Sequence, residues 1–193
     1  NMVQNKTIKT LFSLTPTIAV LVGCSLSDQY LSIDPQLTVV ESSVGESHTV
    51  QIAVADNRPT PKLGEIKDVR KNIYNIELQE GSFKTIQENI SAGLKKQGFA
   101  IGQSDTKMDV AIEKLSLSSR KYPLTFKTDL EAVISVHISN KNQVYNNRLR
   151  IVTTKETAGP PFSNDSRELV NEALSKLLND MISSDKLIRT LSL

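Results

Sequence analysis

The strongest constraint on the fold is a long alternating pattern over residues 124–154. Between residues 124 and 138 nearly every even position is apolar, and most odd positions are polar or charged. Such alternation predicts a strand with one buried face and one solvated face. Turn-forming residues follow at 139–142, and residues 144–154 alternate again. The sequence therefore predicts a long antiparallel hairpin whose apolar face must be covered by other elements.

Shorter alternating segments predict three further strands, at residues 48–54, 73–79 and 108–118, which gives about five strands in all. Residues 37–40 are a candidate for an additional short strand. Within 108–118 the apolar residues change parity after Ile112. One extra residue in one strand of a pair produces such a change, so we expect a bulge near residues 113–114.

Two segments have the spacing of amphipathic helices. Residues 82–97 carry apolar side chains at helical intervals, with Ser82 as the expected N-cap and Gly98 at the position that favours a left-handed backbone. A second helix with a wide apolar stripe follows, with Ser163 or Asp165 as its expected N-cap. Together the elements predict an α+β fold: a mostly antiparallel sheet of about five strands with two helices packed on one face, as a two-layer sandwich.

The N-terminal residues predict a membrane anchor. Lys6 and Lys9 precede a mostly apolar run over residues 11–22, which is long enough for a signal peptide and too short to span a bilayer. The run ends in Leu-Val-Gly-Cys at residues 21–24, which resembles the lipobox of bacterial lipoproteins. That resemblance implies cleavage before Cys24, a diacylglycerol on its thiol and an acyl chain on its new amine. An ordinary secretory signal with a chance cysteine is the alternative.

These features predict three parts: a signal peptide over residues 1–23, an acylated cysteine with a tether over 24–36, and a single periplasmic domain over 37–193. Ser25 follows the cysteine, and its resemblance to the sorting signals of enteric bacteria implies the outer membrane. Two or three acyl chains anchor a protein stably, whereas one chain binds only marginally. We expect no cofactor other than the lipid chains on Cys24.

Charge and composition exclude several classes of function. The chain has 23 Lys and Arg against 21 Asp and Glu, and the two lysines of the predicted signal account for the excess. A neutral mature domain lacks the basic field that nucleic-acid binding requires, so we expect no nucleic-acid partner. The only cysteine is Cys24, which leaves neither disulfides nor thiolate metal sites. With only His48 and His137, we expect no metal site.

A wider resemblance covers most of the predicted domain. The lipobox at Cys24, the segment Val-Gln-Ile-Ala-Val-Ala-Asp-Asn-Arg-Pro over residues 50–59 with Leu63-Gly64 after it, and the long hairpin followed by a C-terminal helix together resemble the YajG-type family of bacterial lipoproteins. The resemblance implies an envelope lipoprotein whose biochemical activity is poorly defined. Similar small α+β lipoproteins serve as auxiliary subunits of outer-membrane transport or secretion machines.

The candidate contact residues are Asp56, Asn57 and Arg58, at the end of a predicted strand. In one interpretation they contact a ligand or a protein partner, with Arg58 binding a carboxylate or phosphate in a bidentate manner. In the other they form a turn in which Asp56 bonds local amides and Arg58 pairs internally. The sequence favours the turn.

No catalytic residues are predicted. Asp129 and Glu131 share one strand face and are the nearest approach to an acid–base pair, but the whole face is polar and is typical of a solvated sheet surface. We therefore expect a non-enzymatic, membrane-anchored lipoprotein that binds envelope proteins as a subunit or assembly factor of an outer-membrane or secretion complex. The alternative is a carrier or sensor that binds a lipid or another small molecule between sheet and helices.

Overall fold

The computed structural model describes residues 27–67 and 71–193, so Cys24 and the predicted signal peptide lie outside the described residues. The described chain forms eight strands and three helices. In chain order they are β1 (Gln29–Leu31), β2 (Thr49–Asp56), β3 (Lys62–Lys67), β4 (Ile73–Leu78), α1 (Ser82–Lys96), β5 (Ala100–Ile101), β6 (Lys107–Lys121), β7 (Phe126–Ser139), β8 (Val144–Thr157), α2 (Ser163–Ile182) and α3 (Asp185–Leu191).

The strands form two sheets. The main sheet has the order β5-β2-β6-β7-β8, in which β6, β7 and β8 are antiparallel and β2 is parallel to both β5 and β6. A smaller sheet has the order β1-β4-β3. The predicted α+β class with helices against a sheet is confirmed. Strands β1, β3 and β5 and the short third helix go beyond the predicted five strands and two helices, and the predicted strand at 73–79 lies in the smaller sheet as β4.

The predicted bulge in β6 is confirmed. Its register against β7 shifts between Ile112 and Lys114. The shift coincides with the end of the parallel pairing with β2, which stops at Ile112. Beyond the bulge β3 approaches β6 so closely that a Cβ on Gly64 would lie 2.3 Å from the carbonyl oxygen of Leu117. Position 64 therefore accepts only glycine without a shift of the backbone.

The helices fill the space on one side of the main sheet. The even-numbered residues of β7 from Leu130 to Ile138 are at most 2% exposed, and Leu94, Leu174 and Leu178 on the helices are 0% exposed. A void large enough for a water molecule would leave accessible surface on the side chains around it. The layer between sheet and helices is therefore closely packed around these residues, as protein interiors usually are.

The helix ends follow local chemistry. Helix α1 begins at Ser82, but its N-cap is Gly81 in a left-handed conformation, and the Ser82 hydroxyl donates to the Gln79 carbonyl. Ser82 as N-cap is therefore wrong by one residue. At the other end Gly98 has φ of 94°, as predicted for a left-handed position. Helix α2 begins at Ser163 with Phe162 as its N-cap, so an N-cap at Ser163 or Asp165 is wrong. The Asp165 carboxylate instead accepts the backbone N–H of Phe162.

The predicted tether over residues 24–36 is wrong for residues 29–36, and the predicted strand at 37–40 is also wrong. Residues 29–31 form a strand of the smaller sheet, and Leu31 and Ile33 are buried core residues. The folded part of the described chain therefore begins before residue 37. Residues 32–40 are extended but pair with no strand.

An extended segment lies along helix α2 through side-chain hydrogen bonds. The backbone N–H groups of residues 34, 36 and 38 donate to Asn171 Oδ1, Ser175 Oγ and Asn179 Oδ1, each at 2.8 Å. Four helical residues rise about 6 Å, and two extended residues rise about 6.6 Å, so the two repeats match. The helix therefore satisfies alternate amides of the segment in place of a neighbouring strand.

Candidate functional site

The candidate site lies on the outer face of the main sheet, which we define as the side opposite the helices. The outward residues of β2, β6, β7 and β8 are exposed or half-buried, except for Val133, which is 2% exposed. In the described part of the chain no helix lies over this face. The outer face is therefore a broad surface that the helices leave uncovered.

A shallow polar groove crosses the outer face near the end of β2. His137 Nδ1 and Asn146 Oδ1 lie 2.6 Å apart across β7 and β8, and Arg148 Nε donates to Glu113 Oε2 at 2.6 Å. We call this the outer groove, and the residues that line it are Asn57, Asp109, Ala111, Ser135, Val136, His137, Asn146, Asn147 and Arg148. The groove presents amide, imidazole, carboxylate and guanidinium groups within one small area, which suits polar contacts with a protein surface.

Arg58 is bound within the domain. Its Nε and one terminal nitrogen donate to the two carboxylate oxygens of Asp56 at 2.7 and 2.8 Å, and its other terminal nitrogen donates to the Pro61 carbonyl at 3.2 Å. The guanidinium also lies 5.4 Å from the centre of the Phe83 ring. Only 4% of the Arg58 side chain is exposed. The side chain thus fixes the turn after β2.

Burial raises the pKa of the Asp56 carboxyl, but the hydrogen bonds and positive charge of Arg58 outweigh it, so the pKa lies below its usual value. The carboxylate also accepts the backbone N–H of Arg58 at 3.1 Å. These contacts are those of the turn interpretation. Asn57 differs, because it is exposed and lines the outer groove. A ligand or partner contact by these residues stays a prediction, and Asn57 is the one of the three that lines the outer groove.

We predict that Arg58→Lys lowers the free energy of unfolding by roughly 1–3 kcal/mol. A lysine ammonium lacks the planar fork that binds both oxygens of Asp56 and the Pro61 carbonyl together. Urea unfolding monitored by circular dichroism measures the change. Asn57→Ala is the matched control, since Asn57 is exposed and its variant should unfold like the unmodified protein. Equal stability of the Arg58→Lys protein would contradict the structural role.

Asp129 and Glu131 belong to a cross-strand network rather than to an acid–base pair. Glu131 accepts from Lys114 at 2.6 Å and from Arg150 at 2.8 Å. Asp129 accepts from Arg120 and from the Thr154 hydroxyl, both at 2.6 Å. Each carboxylate on β7 therefore joins one neighbour on β6 and one on β8.

The network holds the carboxyl groups ionised. Hydrogen bonds from Lys114 and Arg150 lower the pKa of Glu131, and those from Thr154 and Arg120 lower the pKa of Asp129. The hydrogen bond from Arg148 likewise lowers the pKa of Glu113. A general acid at neutral pH requires a raised pKa, so this arrangement does not suit acid catalysis.

We predict that acidification weakens this network and thereby destabilises the fold. A carboxyl whose pKa is lower in the folded state binds fewer protons there, so its stabilisation is complete above the ordinary glutamate pKa of 4.5 and disappears as pH falls through the folded value. Glu131→Gln should therefore flatten the fall in unfolding free energy below pH 4.5. Urea titrations at successive pH values measure this dependence.

Glu172→Gln is the control for this experiment, because Glu172 is exposed on α2 and forms no ion pair with a described residue. If the Glu131→Gln protein retained the full acid dependence of the unmodified protein, the network would have no role in pH-dependent stability.

The described chain has neither a group of metal ligands nor a membrane-spanning helix. Across residues 27–67 and 71–193, no three histidine or carboxylate side chains come together in a group that could hold a metal ion. Over the same residues, no helix has the length and apolar character needed to cross a bilayer. The predicted lipidation at Cys24 lies outside the described residues and stays a prediction.

Part of the site was missing from the sequence analysis. Glu113, Lys114 and Arg148 were not singled out, although their outward parity and opposite charges on neighbouring strands were a usable signal. The convergence of Asn57 with His137 had no such signal, because it depends on the parallel pairing of β2 with β6.

Several solved structures are similar to this chain at low sequence identity. A protein from Xanthomonas campestris is 8% identical with a TM-score of 0.52, covering 81% of this chain and 94% of that chain. A neuraminyllactose-binding hemagglutinin homolog from Helicobacter pylori is 12% identical, with a TM-score of 0.45 over 82% and 96%. A minor lipoprotein from Acinetobacter baumannii is 9% identical, with a TM-score of 0.39 over 75% and 92%. Only the first score exceeds 0.5, and at that identity it shows a shared fold and nothing about activity.

The family is established from the sequence itself. No curated protein matches the chain. A family model described as an uncharacterized lipoprotein matches residues 35–192, which is most of the chain and nearly all of the described domain. The predicted resemblance is thereby confirmed: this chain belongs to the YajG-type family of uncharacterized bacterial lipoproteins.

Proposed function

We propose that this lipoprotein is a non-enzymatic protein-binding subunit or assembly factor of an outer-membrane or secretion complex. Its lipid chains on Cys24 hold it in the outer membrane, and its domain stands in the periplasm. The family supports the general part of this proposal, a membrane-anchored envelope protein. The uncovered outer face of the main sheet supports the protein-binding part.

The shape of the outer face suits a protein better than a small molecule. Strands β6, β7 and β8 each have 14 or 15 residues. At about 3.4 Å per residue and 4.8 Å between strands, they present roughly 700 Å² of surface. A stable protein interface covers about 800 Å² on each partner. A small-molecule site would instead be a deep, largely apolar pocket.

The length of the anchor limits where the partner stands. Four residues separate Cys24 from Gln29, the first residue of β1. Five backbone steps reach at most about 18 Å. The domain therefore stays within one domain diameter of the bilayer, so its partner belongs to the same membrane or lies directly against it.

The lipid-carrier alternative receives less support from the interior. A carrier needs a cavity between sheet and helices that admits an acyl chain. Leu94, Leu130 and Leu174, which line the layer between sheet and helices, have no accessible surface. Binding there would require the helices to separate from the sheet, and the packed core opposes such a separation.

We predict that the Cys24→Ser protein carries no lipid. The thiol is the atom that would accept diacylglycerol, and serine does not replace it in that reaction. Radiolabelled palmitate should enter the unmodified protein and be absent from the variant, which should fractionate as soluble or unprocessed material. The unmodified protein, labelled in parallel, is the control. Label in the serine variant would overturn the anchor assignment.

We predict that Asn57→Arg lowers the recovery of a partner about tenfold, because a bulky charge in a matched interface costs at least 1.4 kcal/mol. The acylated protein is cross-linked in membranes and extracted in mild detergent. Its native mass is then measured, and mass spectrometry identifies the proteins that travel with it. Glu172→Arg places the same charge on the exposed side of α2 and should retain the partner. An unmodified protein that migrates alone would contradict the proposal.

A further inference from the structure

Strand β8 has one free edge, and the hydrogen-bond pattern shows which of its residues face it. β8 is the last strand of the main sheet, and in the described chain no strand pairs with its outer edge. The hairpin closes with the Asn140 N–H donating to the Gln143 carbonyl at 3.0 Å. Bonded pairs alternate along an antiparallel ladder, so the odd residues of β8 bond to β7. The even residues from Val144 to Glu156 therefore direct their N–H and C=O groups outward.

A side-chain contact agrees with this assignment. The Arg148 N–H donates to Asn147 Oδ1 at 2.8 Å, as expected for an amide without a partner strand. The other outward amides of β8 have no such side-chain partner in the described residues. The edge is about 45 Å long, contains no proline and has no bulge against β7. Proteins usually interrupt so long a free edge, because it pairs readily with another strand.

We propose that β8 pairs antiparallel with β8 of a second copy of this chain, so that two main sheets join into one across a twofold axis beside Val152. This dimer goes beyond the protein-binding role proposed above and does not depend on it. Each copy's outward N–H and C=O groups would satisfy those of the other. The dimer would also cover the half-buried Leu149 and Ile151 at the edge.

The charges of the residues that face each other and the length of the joined segment select the register of the two strands. A twofold axis beside Arg150 would place the two Arg150 residues opposite each other. An axis beside residue 149 would place Arg148 of each copy opposite Arg150 of the other. An axis beside Val152 instead places Arg148 opposite Glu156 of the other copy in two equivalent pairs, and it places the two Val152 side chains together. Val152 is 53% exposed in the single chain, and no described residue forms an ion pair with Glu156. Within its own chain Arg148 donates to Glu113 through Nε, and no described residue accepts from its terminal nitrogens, which remain for Glu156 of the other copy.

Two neighbouring registers fit less well. An axis beside residue 151 forms no opposite-charge pair. An axis beside residue 153 pairs Arg150 with Glu156 but faces Val152 with Thr154 and shortens the joined segment by two residues. The register at Val152 thus combines both ion pairs with apolar contact at the axis.

The symmetry is compatible with two anchors in one membrane. A twofold axis that joins two strands edge to edge stands perpendicular to the sheet, so the helices of both copies lie on the same side. The segment of residues 32–40, which leads back toward Cys24, lies against α2 on that side. Both N-termini therefore leave from the same side of the joined sheet.

A single cysteine at the axis tests the dimer and its register. In a bonded antiparallel pair the two Cα atoms of residue 152 lie about 5.5 Å apart, inside the range for a disulfide. Val152→Cys in the full-length, membrane-borne chain is exposed to a mild oxidant and separated without reducing agent. We expect about tenfold more disulfide-linked dimer than in the unmodified chain, which reports any linkage through Cys24.

Thr154→Cys is the matched control. It lies two residues away on the same outer face, and in the proposed register its copies are about 14 Å apart. It should give no more linked dimer than the unmodified chain. Absence of linkage at residue 152, or equal linkage at 152 and 154, would overturn the proposal.

A charge exchange gives a readout that does not depend on a disulfide. Glu156→Arg should reduce dimer several-fold in native mass measurements, because it faces Arg148 of the other copy with a like charge. Adding Arg148→Glu together with Glu113→Gln, which removes the carboxylate that Arg148 contacts in its own chain, should restore the dimer by reversing both ion pairs. Circular dichroism confirms that each variant is folded. If the triple variant stayed monomeric while folded, the register would be wrong. Recovery of partner proteins is measured separately, so a failed dimer and a failed partner interaction remain distinguishable.

Discussion

The apolar face of the β6–β7–β8 sheet governs the rest of this structure. Three long strands with alternating sequence bury one set of side chains, and all three helices pack on that side. Because the helices occupy one side, the other side of the sheet stays uncovered and carries charged and polar residues. The same arrangement that builds the core thus produces the broad outer face. The cross-strand pairs around Asp129 and Glu131 then fix the relative positions of the strands on that face.

Local patterns predicted the elements whose structure depends on nearby residues. The hairpin, the bulge after Ile112 and the left-handed Gly98 that follows α1 are expected from parity and backbone preference, and all three are present. In the segment of residues 32–40, residues 32–36 were predicted as a tether and residues 37–40 as a strand, because the partner of the segment, α2, lies more than 130 residues away. The segment has alternating apolar residues, as a strand does, yet Asn171, Ser175 and Asn179 on α2 satisfy its backbone amides. Strand β3 was not predicted for a related reason. Its Gly64 is required by the close approach of the Leu117 carbonyl, which is distant in the sequence.

The predicted contact residues divide into two roles that the sequence could not separate. Asp56 and Arg58 satisfy each other, and this pair holds the turn after β2. Asn57 stands between them in the chain but lines the outer groove with His137 and Arg148. The division depends on which way each side chain leaves the turn, and on the parallel pairing that brings β2 beside β6. Sequence alone identified a polar strand end, and the three-dimensional pairing distinguished structure from surface.

The proposed lipid anchor at Cys24 changes how weak contacts on this surface should be judged. Proteins held within about 18 Å of one membrane meet at a much higher effective concentration than free proteins do, so a modest interface can suffice for association. Polar groups such as those of the outer groove give specificity and orientation more than affinity. The free edge of β8 adds main-chain hydrogen bonds, which supply affinity with little side-chain selectivity. In the proposed arrangement, a lipid-held domain with both surfaces therefore pairs with its own copy along the edge while its outer face remains open to a different protein.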